Sequence, residues 1–318
     1  MPEYKVLVTA RSFGTADNKA RELLEKNGCL VKKLDQKDGL IPDQLEKELP
    51  DADAVIAGLE NYSKDMLAAA GKLKVISRYG VGYDNVDLKA ATDKGIAVTI
   101  TPGANGDSVA DLAVALMMDC ARNVTVMNNG IKGRNQIRPS GLEMWEKTLG
   151  IVGAGRIGKG VGRRCRGFNM KILCFDQYVD QAFAEECGAS YVDFNTLLQE
   201  SDFITIHSPL TDETKNMFSY EQFDMMKTDA ILVNTARGGI VDEEALFDAL
   251  KNGKIRAAAL DATVEEPPYD NPLCTLDNCL LTPHAGAATR EASSRMSLMA
   301  AQNLLDILRT GDCRNKVC

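Results

Sequence analysis

Short β-rich apolar runs recur along the first third of the chain, at 5–9, 29–34, 54–57, 74–77 and 97–100. Charged stretches with apolar residues at helical spacing, such as 18–26, separate them. Brief apolar runs alternating with amphipathic helical segments predict an α/β unit built on a parallel sheet. The same alternation resumes over 147–284, with strands expected at 149–152, 171–176, 189–192, 203–206, 230–235, 257–261 and 279–283. Between the two series, Ser108-Val109-Ala110-Asp111 has the form of a capping box and predicts a helix start. The following stretch, 112–121, is apolar on nearly every side and predicts a helix buried between two bodies. Beyond the second series, Ala292, Met296, Met299, Ala300, Leu304, Ile307 and Leu308 are spaced as one face of a helix, with Gly311 suited to the position past its end. The polar, aperiodic stretch 130–144 reads as a protruding loop, at a place suited to a subunit contact.

This order predicts an α/β protein of two Rossmann-like or flavodoxin-like doubly wound parallel-sheet domains with a cleft between them. A discontinuous first domain covers 1–100 plus 288–318, and a second domain covers 101–287; the motifs below make the second nucleotide-binding (Rossmann) and the first the substrate (catalytic) domain. Clefts at the carboxyl ends of parallel strands are where such proteins bind ligands. The length, 318 residues, accommodates two domains of ordinary size. A net charge of -8 disfavours nucleic-acid and anionic-membrane surfaces, which leaves a small molecule as the expected partner. No run approaches the length of a membrane span, and Met1-Pro2-Glu3-Tyr4-Lys5 leads into a strand-like run without the form of a signal peptide. The nine cysteines, odd in number and without a CxxC, suit reduced thiols and a cytoplasmic location. The two histidines lack metal-ligand spacing to the cysteines, so no metal is expected.

Gly153-Ala154-Gly155-Arg156-Ile157-Gly158 follows the expected strand at 149–152. Glycines at 153, 155 and 158 allow a tight turn, close approach to a pyrophosphate and tight helix packing, with free N–H groups and the positive dipole end supplied by the helix N-terminus. Asp176 closes the next strand about 20 residues on, where a carboxylate accepts from ribose hydroxyls. Gln177 and Tyr178 offer no cation for a 2′-phosphate, so NAD is the expected cofactor.

Only two histidines are present, His207 and His284, so proton transfer near neutral pH has few candidates. His284 closes the expected strand 279–283 and Asp261 closes 257–261. Arg237 follows 230–235, where Gly238 and Gly239 leave its guanidinium uncrowded for a carboxylate. An acid, a cation and an imidazole at strand ends facing one cleft make a candidate site.

Several segments together resemble the D-isomer-specific 2-hydroxyacid dehydrogenases, in particular their phosphoglycerate dehydrogenase branch, along nearly the whole chain. They are Arg78-Tyr79-Gly80-Val81-Gly82-Tyr83-Asp84, Thr101-Pro102-Gly103-Ala104-Asn105, the glycine fingerprint, His207-Ser208-Pro209-Leu210-Thr211, Val233-Asn234-Thr235-Ala236-Arg237-Gly238-Gly239, Asp261 with Glu266-Pro267, and Thr282-Pro283-His284. The resemblance implies a catalytic trio of Arg237, Glu266 and His284, in which His284 exchanges the C2 hydroxyl proton while hydride passes to or from the nicotinamide. Glu266 is then expected to orient the imidazole and stabilise its charged form, and Arg237 to bind the substrate carboxylate. Arg78, Tyr79, Gly80, Val81 and Gly82 are implied as the substrate loop. Gly153, Gly155, Arg156, Ile157, Gly158, Asp176, His207, Ser208, Thr235, Ala236, Arg237, Asp261, His284 and Gly286 are implied to line the cofactor, with Asp261 on the carboxamide. His207 reads equally as a satisfied strand-end histidine. A homodimer joined through the cofactor domain is implied in the same way.

The chain departs from the resemblance after Asp261, where Ala262-Thr263 replaces a bulkier Val-Phe pair. It also ends soon after its last helix, so feedback through a C-terminal regulatory domain is not expected. Arg78 and Arg11 are the candidate cations for a phosphorylated substrate, 3-phospho-D-glycerate or phosphohydroxypyruvate. Hydroxypyruvate, glyoxylate or another 2-keto acid is the rival, and an NAD(H)-sensing regulator or an inorganic-substrate dehydrogenase of the same fold are readings of other kinds.

Overall fold

The computed structural model describes residues 3–35, 37 and 40–318; Met1 and Pro2, part of the stretch read for a leader, lie outside them. Two compact units form, Met1–Asn105 with Ala287–Cys318, and Gly106–Gly286. The chain therefore divides after Asn105 and Gly286, where the sequence reading put the breaks after 100 and 287.

In the first unit, strands β1 (Tyr4–Val8), β2 (Cys29–Lys33), β3 (Ala54–Ala57), β4 (Val75–Arg78) and β5 (Ala97–Thr99) alternate with helices α1 (Lys19–Lys26), α2 (Leu40–Glu48), α3 (Lys64–Ala69) and α4 (Leu88–Asp93). The strands are parallel in the order β2-β1-β3-β4-β5, the flavodoxin-like winding. Both sheet faces are covered, which explains why β3 and β4 are buried at every position. Val6, Val8, Ile56 and Val75 point to one side, where Ala300, Leu304 and Leu305 of the helix Arg290–Thr310 pack on them. Leu7, Val55, Ile76 and Val98 point to the other side, against Leu45, Leu49 and Leu67. Beyond β5 the sheet edge is covered by the C-terminal segment: Val317 N–H donates to Val98 O at 2.8 Å and Ile100 N–H to Asn315 O at 3.0 Å.

The second unit opens with α5 (Gly106–Arg122) and α6 (Val124–Lys132). It continues through β6 (Thr148–Val152), α7 (Arg156–Cys165), β7 (Lys171–Phe175), α8 (Gln181–Cys187), β8 (Ala189–Tyr191), α9 (Phe194–Glu200) and β9 (Phe203–Ile206). The remaining elements are α10 (Tyr220–Met225), β10 (Ile231–Asn234), α11 (Glu243–Lys251), β11 (Ala257–Leu260) and β12 (Cys279–Leu281). All seven strands are parallel, in the order β12-β11-β10-β9-β6-β7-β8. The winding reverses between β6 and β9, so the ends of these two strands mark the topological switch point where doubly wound sheets bind ligands. Gly153 follows one of them and His207 the other.

Three local expectations need correction. Helix α5 starts at Gly106, so Ser108 lies inside its first turn, 5% exposed, and not at the position before the helix. Within its unit α5 packs on α7, β10 and β11 and exposes Asp111, Ala115 and Met118, so the stretch 112–121 is not buried on every side. The presumed loop 130–144 begins as helix: Gly130, Ile131 and Lys132 belong to α6, and regular structure ends at Gly133. Asn123, in the left-handed conformation at φ 54°, separates α5 from α6, and Asp119 accepts from the Thr125 N–H at 2.8 Å across the break.

Candidate active site

The glycine turn is shaped by close approach. Gly153 stands at φ +90°, and a Cβ there would lie 2.6 Å from Ser208 N; a Cβ on Gly158 would lie 2.3 Å from Gly153 O. Neither position admits a larger residue without moving backbone. At Gly155 a Cβ would meet nothing within 4 Å, so the face ahead of α7 is open, with Arg156 exposed at the first helical position and Ile157 half-buried behind it. Asp176 accepts from Ala154 N–H at 2.7 Å through Oδ2 and from Tyr178 N–H at 2.9 Å through Oδ1. Each oxygen retains acceptor capacity, as a ribose diol requires. A depression of about 500 Å³ lies beside it, lined by Ala154, Gly155, Lys159, Asp176, Tyr178 and Val179 among others. Ser208 Oγ is buried and has no hydrogen-bond partner among the described residues. An open helix start, a carboxylate with spare acceptors and an unsatisfied hydroxyl fit a dinucleotide.

His207 is satisfied within the protein. Its Nε2 lies 2.9 Å from the Thr205 hydroxyl and its Nδ1 3.3 Å from the Thr235 hydroxyl. Burial depresses its pKa to about 3, so the ring stays neutral near pH 7. It can brace Thr235 but cannot carry a proton in this range.

The remaining chemistry gathers at the carboxyl ends of three adjacent strands. Arg237 follows β10, Asp261 follows β11 and His284 follows β12. Glu266 lies in the loop after Asp261, and His284 Nδ1 sits 3.0 Å and 3.1 Å from its two carboxylate oxygens. The acid, imidazole and guanidinium named from the sequence thus all lie in this one unit. His284 itself is held at φ 52°, a left-handed conformation uncommon for a residue with a Cβ. Asp261, 2% exposed, supplies the restraint: Oδ1 accepts from the Thr282 hydroxyl at 2.6 Å and Ala285 N–H at 2.7 Å, and Oδ2 from Gly286 N–H at 2.8 Å. Charge-assisted bonds of this kind contribute about 1.5–3 kcal/mol each. In this structure the visible duty of Asp261 is to fix the turn that carries the histidine.

Asn234 does the same for Arg237 and was given no role by sequence reasoning. Its buried amide donates to Arg237 O at 2.8 Å and its Oδ1 accepts from Ala236 N–H at 2.9 Å, bracketing Thr235 and Ala236. The one available signal was an amide ending an otherwise apolar strand. Gly238 has a different use from the one expected: it leaves room for Thr263 O, which would lie 2.1 Å from a Cβ.

In the first unit, Arg78 is 4% exposed and donates from Nε to Gly82 O at 3.0 Å and from Nη1 to Ala57 O at 2.9 Å. It braces the loop Tyr79, Gly80, Val81 and Gly82 from beneath. Gly80 O accepts from Thr101 N–H at 2.8 Å, and the Tyr79 hydroxyl donates to Ser293 O at 3.0 Å.

The chain is similar to several known proteins. A D-3-phosphoglycerate dehydrogenase of Methanocaldococcus jannaschii is 46% identical over 275 residues, 85% of this chain and 52% of that protein. A glyoxylate reductase of Korarchaeum cryptofilum is 44% identical over 271 residues, 83% of this chain and 82% of that one. The apo-structure of D-lactate dehydrogenase from Escherichia coli superposes with a TM-score of 0.86 at 31% identity, covering 99% of this chain and 100% of that one. The chain spans about half the length of the phosphoglycerate dehydrogenases it matches first. Residues 114–286 match the family described as D-isomer specific 2-hydroxyacid dehydrogenase, NAD binding domain, and with these relatives they establish that the chain belongs to that family.

Proposed function

We propose that the protein is an NAD-dependent oxidoreductase that moves a hydride between the nicotinamide and C2 of a D-2-hydroxy acid or its 2-keto counterpart. The contact of His284 Nδ1 with both oxygens of Glu266 carries this reading. Bound NAD would supply or accept the hydride. A carboxylate can only accept, so Nδ1 bears the hydrogen, and Nε2 is the atom left to take or return the proton of the C2 oxygen. Glu266 fixes the ring and offsets the charge it acquires with the second proton. Arg237 binds the substrate carboxylate and polarises the C2 oxygen. Asp261 and Asn234 hold these two groups in place. The backbone N–H groups of Gly80, Val81 and Gly82 are proposed as substrate-binding groups, as the resemblance implies.

For the substrate, 3-phospho-D-glycerate and phosphohydroxypyruvate come first, supported by the relatives that carry that name. Hydroxypyruvate or glyoxylate is the second reading, favoured by Arg78. That guanidinium is buried and donates to two backbone carbonyls, and the exposed Arg11, just beyond β1, is the other candidate cation for a phosphate. We further propose a cytoplasmic homodimer. Unpaired cysteines, most of them buried, support the compartment, and the exposed apolar Val124, Ile131 and Trp145 of the second unit support the dimer.

The test is NADH oxidation with phosphohydroxypyruvate, hydroxypyruvate and glyoxylate. Turnover should fall at least about 100-fold in His284→Ala, and Arg11→Ala should selectively weaken the phosphorylated substrate. NADH binding without turnover on any of the three would move the protein to the sensing role.

A further inference from the structure

Glu266 can orient His284 only if its own loop is fixed, and within residues 262–271 the only regular structure is none: neither helix nor strand runs through it. The loop is nevertheless tied at both ends to one carboxylate. Glu243, the first residue of α11, accepts from the Val264 N–H at 2.7 Å through Oε1 and from the Asn271 amide at 2.7 Å through Oε2. Glu266 lies between these two anchors. Asn271 is itself engaged, its Oδ1 accepting from Leu273 N–H at 3.0 Å, and the start of α11 is held because Asp242 caps Ala245 N–H and accepts from the Ser219 hydroxyl at 2.9 Å. Thr263 closes the loop from within by donating to Glu265 O at 2.7 Å.

We propose that Glu243 is a positioning residue for the Glu266–His284 pair, acting through the loop 264–271 and touching neither substrate nor cofactor. A first-turn acid on a helix ordinarily complements the dipole and faces solvent. Here both carboxylate oxygens are spent on a loop distant in sequence, and the neighbouring Glu244 is available for the dipole. Thr263, where the resemblance expects a bulky aromatic residue, gives this chain a hydroxyl bond in place of packing at the same point. The inference rests on the proposed dehydrogenase reading.

The experiment compares wild type, Glu243→Ala, Glu243→Gln, Glu266→Ala and the Glu243→Ala/Glu266→Ala pair, using the best 2-keto acid, with hydrogen exchange over 264–271. Loss of the anchors should lower kcat about 10- to 100-fold with the KM for NADH within about twofold, since displacement of a catalytic group by about an ångström has effects of that size. Glu243→Gln keeps an acceptor for Val264 N–H and should fall between wild type and Glu243→Ala. The double variant should be no slower than Glu266→Ala, and exchange at 264–271 should rise in Glu243→Ala. Unchanged kcat, additive losses in the pair, or a lowered melting temperature with unchanged kcat would each overturn the proposal. Absence of His284-dependent turnover in wild type would overturn the dehydrogenase reading and this proposal with it, an outcome distinct from active wild type with an equally active Glu243→Ala.

Discussion

Replacing Gly238 by alanine should separate the two halves of the catalytic apparatus. The added Cβ would lie 2.1 Å from Thr263 O, 2.2 Å from Thr263 C and 2.5 Å from Val264 N. Ordinary contact begins near 3.4 Å, so the backbones must part by about 1.3 Å, and no rotamer change can relieve the overlap because the three nearest atoms are all main chain. One of these backbones carries Arg237 and the other leads to Glu266. A misplacement of about 1 Å at reacting groups costs about 100-fold, or about 2.7 kcal/mol in the barrier. We therefore expect kcat/KM to fall about 100-fold in Gly238→Ala. NADH affinity should fall less than kcat/KM, because the glycine turn and Asp176 lie on other strands, away from the clash. The assay is steady-state NADH oxidation with the preferred 2-keto acid, alongside NADH fluorescence titration and a thermal melt. Gly167→Ala is the control, since a Cβ there meets nothing within 4 Å. A folded, NADH-binding Gly238→Ala with turnover within about threefold of wild type would refute the packing argument.

Two further outcomes follow from the second unit. His207 keeps a pKa near 3 when folded against about 6.5 unfolded, so between these values the unfolded chain binds a proton that the native ring refuses. This group leaves stability unaffected above pH 6.5 and lowers it as pH falls toward 3, by up to about 1.4 kcal/mol per unit. Denaturant titrations at pH 7.5 and 5 should therefore show a smaller loss for His207→Asn than for wild type, and equal losses would refute the assignment. Asp176→Ala should weaken NADH about 10- to 100-fold, the equivalent of one or two charge-assisted hydrogen bonds, while NADPH loses less. An unchanged NADH dissociation constant would remove Asp176 from the ribose site.

The legibility of the site varied with how local its causes are. Gly153, Gly155 and Gly158 could be read directly, because a tight turn with a close backbone approach demands glycine whatever surrounds it. Arg237, Asp261 and His284 could be placed at strand ends because apolar runs mark where strands stop. Ser108 misled because a capping pattern is satisfied by any serine three residues before an acid, whereas the helix began at Gly106, with Asp107 in its first turn. Arg78 was named as a candidate substrate cation from its charge, and the structure adds what charge does not show, its burial and its bonds from Nε to Gly82 O and from Nη1 to Ala57 O. Asn234 and Glu243 were passed over since each acts through a hydrogen bond to backbone that no residue pattern encodes.

Strand, turn and helix therefore follow from the chain's own periodicity and glycine spacing, as does the expectation of a dinucleotide, because these depend on steric and hydrogen-bonding limits of neighbouring residues. The adjacency of β10, β11 and β12 was decided only in three dimensions, by which buried faces pack together, and it brings Arg237, Asp261 and His284 to one edge. The same holds for the Glu243 carboxylate that ties down the Glu266 loop and for the Asp261 carboxylate that ties down the His284 turn. These bonds join residues about 20 or more positions apart, and their strength depends on orientation and on exclusion of water, which tertiary packing alone supplies.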